Sequence, residues 1–213
     1  MQSDSRHANL TLLSGPLAAI ILAVGVAGLA LMVPGYSQVH QTVSEIGEVG
    51  SPARVSFAAM LCAVAVCLVI FAWKVRALSL QAGSLSVGAY LIACMAVSAA
   101  GVGVFAYPHP LHNVFGLSEL IGYQAPLALA ISWRRNPYTR AVVTFSWVMV
   151  FLVWIAIALN LATLDRNGAL WAFEKPYYGL VQRALFATWF GWCAGVGLLL
   201  YGKRDAAVQQ IFS

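Results

Sequence analysis

Four histidines and seven carboxylates are the groups in this 213-residue chain that could hold a metal, carry a proton or orient a nucleophile. His109 and His112 stand three apart. With His40 and Glu45 they would supply three imidazoles and a carboxylate-held water, a zinc set suited to hydrolysing an ester or amide at a membrane surface. Pro108 and Pro110 flank His109, so the segment is predicted non-helical and nothing obliges the two rings to converge. No metal is therefore expected, with His40, His109 and His112 the residues to watch. A nucleophilic arrangement would use Ser44 or Ser37 with His112 and either Glu45 or Asp165, but no G-x-S-x-G elbow supports it. The catalytic candidates are thus Ser44, Glu45 and His112. There is no P-loop, GxGxxG fingerprint or C-x-x-C-H haem attachment. His7, His40, His109 and His112 all fall outside the apolar runs or at their rims, away from where a b-type haem would sit. No cofactor is expected.

The elements that would position these groups follow from composition. The chain is 61% hydrophobic and 9% charged, with a mean hydropathy of +0.81. A soluble domain carries about 25% charge, so the water-soluble and disordered classes are excluded. A helix needs roughly 20 apolar residues to cross a bilayer. Six runs qualify, at about 10–33, 55–75, 83–106, 117–133, 141–161 and 179–201. They are continuously apolar, where a membrane β-barrel would alternate. The first run is too long for a signal peptide, and Val33-Pro34-Gly35 is no small-x-small cleavage site. The expectation is all-α: one membrane domain, 1–213, built as a bundle of six transmembrane helices. Cys62, Cys67, Cys94 and Cys193 all lie within spans and imply neither a disulfide framework nor a C-x-x-C metal site.

Basic residues give the orientation. Arg6, Lys74, Arg76, Arg134, Arg135, Arg140, Lys203 and Arg204 gather on one side; Arg54, Arg166 and Lys175 lie on the other. The positive-inside rule then places both termini in the cytoplasm of a cell-membrane protein. The net charge of +5 reads as a topology signal and an affinity for membrane lipids, not as a nucleic-acid footprint. A protein partner and the oligomeric state are left open. Three loops then face outward, around 35–54, 107–113 and 164–178, and they hold most of the histidines and carboxylates.

Polar residues intrude into the spans from that same side. Glu119 and Tyr123 share a face of the fourth span; Gln182 and Arg183 open the sixth, and Asn160 ends the fifth. A lone charge in hydrocarbon is costly, so a Glu119–Arg183 ion pair between the fourth and sixth helices is expected. Such a pair would either fix helix register or line a ligand pocket. Pro126 removes a backbone donor and frees the carbonyl of Gly122, predicting a kink just below Glu119. Gly191-x-x-x-Gly195 and the ladder Ala89, Ala93, Ala96, Ala100, Gly103 predict close helix approach. Trp73, Trp133, Trp147 and Trp171 fall near span ends, as interfacial belts do.

The block from Pro34 to Arg54, Pro-Gly-Tyr-Ser-Gln-Val-His-Gln-Thr-Val-Ser-Glu-Ile-Gly-Glu-Val-Gly-Ser-Pro-Ala-Arg, follows a first apolar helix. It resembles the tyrosine-serine, serine-glutamate-leucine-glycine and glycine-serine-proline signature of a bacterial and archaeal six-helix membrane family, domain of unknown function 998. Phe105-Ala-Tyr-Pro108 with His112 is similar to that family's third-helix exit, and Gly179-Leu-Val-Gln-Arg183 to the beginning of its last helix. The resemblance implies matching positions at Ser44, Glu45, Gly47, Pro52, His112, Gln182 and Arg183. His109 departs from it, standing where many members carry an acidic residue. The family implies fold and topology and supplies no activity.

Three functional classes fit these residues. One is a binding protein with an outward-facing polar pocket for a lipid or small molecule, lined by Glu45, His112, Glu119, Tyr123, Gln182 and Arg183. Another is a membrane-embedded hydrolase or transferase acting on lipid through the same residues. The last is a structural subunit that docks a partner through its outer loops. Alternating-access transport is disfavoured, because no three-plus-three repeat is visible and only the fourth span is interrupted.

Overall fold

A computed structural model of the chain describes residues 10–162 and 167–202. Arg6, His7, Asp165, Arg166, Lys203 and Arg204, named above in the arguments on charge, haem and a catalytic triad, lie outside the described residues. The described chain is helical, without strands. Its helices are α1 (Ser14–Ala30), preceded by a 3-10 turn at Thr11–Leu13, α2 (Arg54–Gln81), α3 (Val87–Val104), α4 (Pro110–Gly122), α5 (Ala125–Trp133), α6 (Arg140–Ala162), the short α7 (Ala169–Glu174), and α8 (Tyr178–Gly202). Six stretches are long and apolar enough to cross a membrane, α4 with α5 making the fourth and α7 with α8 the sixth. Large apolar side chains such as Val24, Phe151, Trp154 and Trp73 cover the outside of the bundle, a surface for lipid and not for water. The protein is a multi-pass membrane bundle.

Neighbours in sequence are neighbours in space, and the ring closes where α8 packs on both α6 and α1. Lipid tails are as apolar as leucine, so small residues and interhelical hydrogen bonds hold such helices together. Three buried tryptophans supply three of those bonds through their indole N–H groups. Trp133 donates to Ser79 Oγ (3.0 Å), Trp192 to Ser146 Oγ (2.9 Å) and Trp189 to the Gly122 carbonyl (3.1 Å). Trp133 is thus a core residue and no interfacial belt member, in contrast to the exposed Trp73 and Trp147. Of the Gly191/Gly195 pair, only Gly195 meets a neighbour, the Phe145 ring; a Cβ on Gly191 would touch nothing within 4 Å. In the α3 ladder Gly103 does admit close approach, since a Cβ there would stand 3.0 Å from Leu61.

The fourth span explains the cavity described below. It begins at Pro110, earlier than the run starting at Leu117 suggests. His109 caps it through Nδ1, which accepts from the Leu111 N–H, and Pro110 sits at the first helical position, where its missing N–H matters least. The prolines therefore start a helix and His112 lies inside it, contrary to the expected non-helical loop. The span then breaks at Tyr123–Gln124. Pro126 leaves the Gly122 carbonyl without an intrahelical partner, and Trp189 of α8 supplies one. Above the break α4 packs chiefly on α3; below it α5 packs on both α3 and α6. The two halves thus have different neighbours, and the bundle opens between α4 and α8 at the end that carries the 35–54 loop.

Candidate functional site: a cavity under a clamped loop

The loop between α1 and α2 is held down at every turn. Thr42-x-x-Glu45 forms a reciprocal cap on a 3-10 turn at Val43–Gly47. Glu45 Oε1 accepts from the Thr42 N–H (2.8 Å) and hydroxyl (2.9 Å), and its Oε2 accepts from Gln41 Nε2 (2.8 Å). Both carboxylate oxygens are therefore engaged in shaping the loop. Gly47 allows the turn to lie on α2, because a Cβ there would collide with the Phe57 ring at 2.1 Å.

The first turns of α8 grip the other side of this loop. Gly179 N–H donates to the Val39 carbonyl (2.9 Å), and His40 Nδ1 lies 2.6 Å from the Pro176 carbonyl. A Cβ on Gly179 would stand 2.4 Å from the Gln41 carbonyl and 2.6 Å from that of Gln38, so only glycine permits this approach. Gln182 Oε1 accepts from the Val43 N–H (2.7 Å). Arg183 Nη1 donates to the carbonyls of Gln41 and Gly179 (both 2.9 Å), and Nη2 donates to the Tyr36 hydroxyl. Its guanidinium also lies over the Tyr36 ring, 5.7 Å from the centroid. Tyr36 passes its own proton to the Thr42 carbonyl (2.7 Å). Burial raises the pKa of this phenol above the usual value, against the opposing pull of the Arg183 guanidinium.

Arg183 is thus occupied with the loop, and the expected Glu119–Arg183 pair does not form. Glu119 instead accepts at Oε2 from the Tyr123 hydroxyl one turn along (3.0 Å). The two charges match in depth, but depth alone does not bring Glu119 and Arg183 together. A carbonyl of the folded loop, invisible in the local sequence, takes Arg183 Nη1, and Nε is left buried without a hydrogen-bond partner among the described residues. Asn160 likewise serves packing, donating to the carbonyl of Val181 on α8 (3.0 Å).

Beneath the clamped loop lies a cavity of about 770 Å³, bounded by the 35–54 loop and by α1, α2, α3, α4 and α8. Ser44, Glu45, Glu48, His112, Asn113, Glu119 and Gln182 line its polar part, and Leu22, Phe57, Leu61, Met95, Phe186 and Phe190 line its apolar part. Among the candidate residues, Ser44, Glu45, His112, Glu119 and Gln182 meet here. Tyr123 and Arg183 stand behind the wall and brace it. Glu48 and Asn113 were not singled out from the sequence, and their types alone gave no signal.

His112 is only 7% exposed, and its Nδ1 lies 2.8 Å from the Phe105 carbonyl. A carbonyl only accepts, so Nδ1 carries a proton, and in the uncharged tautomer with that proton Nε2 is an acceptor. Ser44 Oγ is 3.1 Å from Thr42 Oγ1, and no hydrogen bond joins it to His112. The nucleophile–base contact of a serine triad is therefore not assembled. His40, His109 and His112 turn to three separate backbone groups, and no cluster of three or more metal-ligating side chains occurs among the described residues.

A family model described as "Protein of unknown function (DUF998)" matches residues 16–199, and the chain belongs to that family. No curated protein and no solved structure matches it.

Proposed function

We propose that this DUF998 protein binds an amphiphile, a lipid or lipid-like small molecule, in the cavity beneath the 35–54 loop. The loop end faces away from the cytoplasm, in keeping with the basic residues concentrated at the opposite end. The observation that carries the reading is the mixed lining: carboxylates, an imidazole and amides share one space of about 770 Å³ with leucine, methionine and phenylalanine side chains. That volume lies within the range of about 300–1,000 Å³ usual for small-molecule sites. A headgroup would meet His112, Glu119 and Gln182 while an alkyl chain would lie against Phe57, Met95 and Phe186. Hydrolysis or transfer on a lipid receives less support, since Ser44 and His112 are not joined.

Filling the cavity tests the proposal. Gly116 lines it, and a Cβ there would meet nothing within 4 Å, so Gly116→Leu puts bulk into the space without a clash at the backbone. The reading expects the purified protein in maltoside micelles to bind dodecyl amphiphiles saturably and Gly116→Leu to abolish binding while unfolding stays cooperative. Undiminished binding by Gly116→Leu would contradict it.

A further inference from the structure

Which headgroup the cavity accepts can be read from its charges. The chain as a whole is basic, with twelve Lys and Arg against seven Asp and Glu. The cavity reverses that balance: among the described residues its charged lining is Glu45, Glu48 and Glu119, and neither lysine nor arginine contributes. Arg183, in the first turns of α8, points its guanidinium away into the carbonyls of Gln41 and Gly179. Two of the three carboxylates keep acceptor capacity. Among the described residues, Glu119 bonds Tyr123 through Oε2 alone, and no side-chain hydrogen bond engages Glu48. Neither leaves an oxygen sealed away without a partner.

An independent observation concerns His112. More than nine-tenths buried, it gives Nδ1 to the Phe105 carbonyl and leaves Nε2 without a protein partner, yet that atom is not sealed off. A buried imidazole lone pair in the same lining as these carboxylates asks for a donor. The aromatic side chains of Tyr107, Tyr178 and Phe186 in the same lining present faces that attract cations.

We infer that the cavity selects an amphiphile whose headgroup carries an ammonium, held by Glu119 and Glu48 with one N–H given to His112 Nε2. An anionic headgroup would face two carboxylates without a balancing cation. The inference rests on the proposed amphiphile site and specifies its ligand. Two sources share this chemistry, a simple long-chain amine and an amino-phospholipid.

The test compares headgroups on one tail. Dodecylammonium, dodecanol and dodecyl sulfate are titrated by calorimetry into the protein in maltoside micelles, followed by short-chain phosphatidylethanolamine against phosphatidylglycerol. The inference expects an ammonium probe to bind about tenfold or more tightly than its neutral or anionic counterpart, with the preference lost in Glu48→Gln and Glu119→Gln. Whichever ammonium probe binds more tightly identifies the source. Glu48→Gln removes no side-chain hydrogen bond, so its folding is secure even if Glu119→Gln weakens the bundle. Saturable binding that ignores headgroup charge, or favours the anion, would overturn the inference and leave the amphiphile site standing. Absence of saturable binding by every probe would overturn both.

Discussion

Replacing Arg183 by methionine keeps an apolar stem of similar length and removes the guanidinium that clamps the loop. Two of its hydrogen bonds cross to the loop, to the Gln41 carbonyl and the Tyr36 hydroxyl; the third, to Gly179, stays within α8. Hydrogen bonds to charged groups contribute about 1.5–3 kcal/mol each, with membrane-protein measurements lower. Tyr36 keeps its bond to Thr42, so the loss is taken as about 3 kcal/mol for the two together. On thermal unfolding in detergent this corresponds to a fall of about 6–12 °C for a chain of this size. The local signature is sharper. Amide hydrogen exchange at Thr42 and Val43, whose N–H groups bond Glu45 and Gln182, should accelerate about 100-fold, while the Ser98–Ser118 contact between α3 and α4 is untouched. Double-mutant cycles separate this account from the charge-pairing one. Arg183→Met and Tyr36→Phe should couple by about 1 kcal/mol, while Arg183→Met and Glu119→Gln should add within about 0.5 kcal/mol. Unchanged exchange in the loop, or strong coupling to Glu119, would refute the reasoning.

Other expectations concern the same contacts. Gly179→Ala should destabilise the bundle by about 2–3 kcal/mol and displace the loop, since its Cβ would meet two backbone carbonyls, while Gly191→Ala should fall within about 0.5 kcal/mol of the parent in the same melts. Trp189→Phe removes the donor to Gly122 and should cost about 1 kcal/mol, read by denaturant or thermal unfolding in detergent. The Tyr36 phenol has a raised pKa, so the folded protein holds its proton more tightly than the unfolded chain does. Its contribution is therefore complete below about pH 10 and lost as pH rises through the raised value, and alkaline melts of Tyr36→Phe should lack that decline.

The number and approximate limits of the spans were legible because apolar runs of about 20 residues have one common solution in a bilayer. Pro126 also announced its effect, since a proline frees a carbonyl at a fixed distance back along the helix. That Trp189 would satisfy Gly122 was not legible, because nothing local links residues 67 apart. The capping box Thr42-x-x-Glu45 is readable as a pattern, and it commits Glu45, a catalytic candidate by residue type alone, to the loop. For Arg183 the loop partners lie 142 and 147 residues away, a carbonyl and a phenol that composition cannot locate. Gly47, Gln182 and Arg183, to which the family resemblance points, thus have structural work: they fold the loop over the cavity. The side chains left open to a ligand, His112 Nε2, Glu119 and Glu48, differ partly from that set, and only the three-dimensional arrangement separates the two.

In the proposed reading an alkyl-bearing ligand enters the space between α4 and α8 under the loop. Photocrosslinking with a dodecylammonium probe carrying a diazirine on its chain, followed by peptide mapping, tests it most directly. The account predicts saturable labels on Phe57, Met95 and Phe186, suppressed by Gly116→Leu. Labels confined to the lipid-facing surface around Phe151 and Trp154, and unaffected by that substitution, would contradict it.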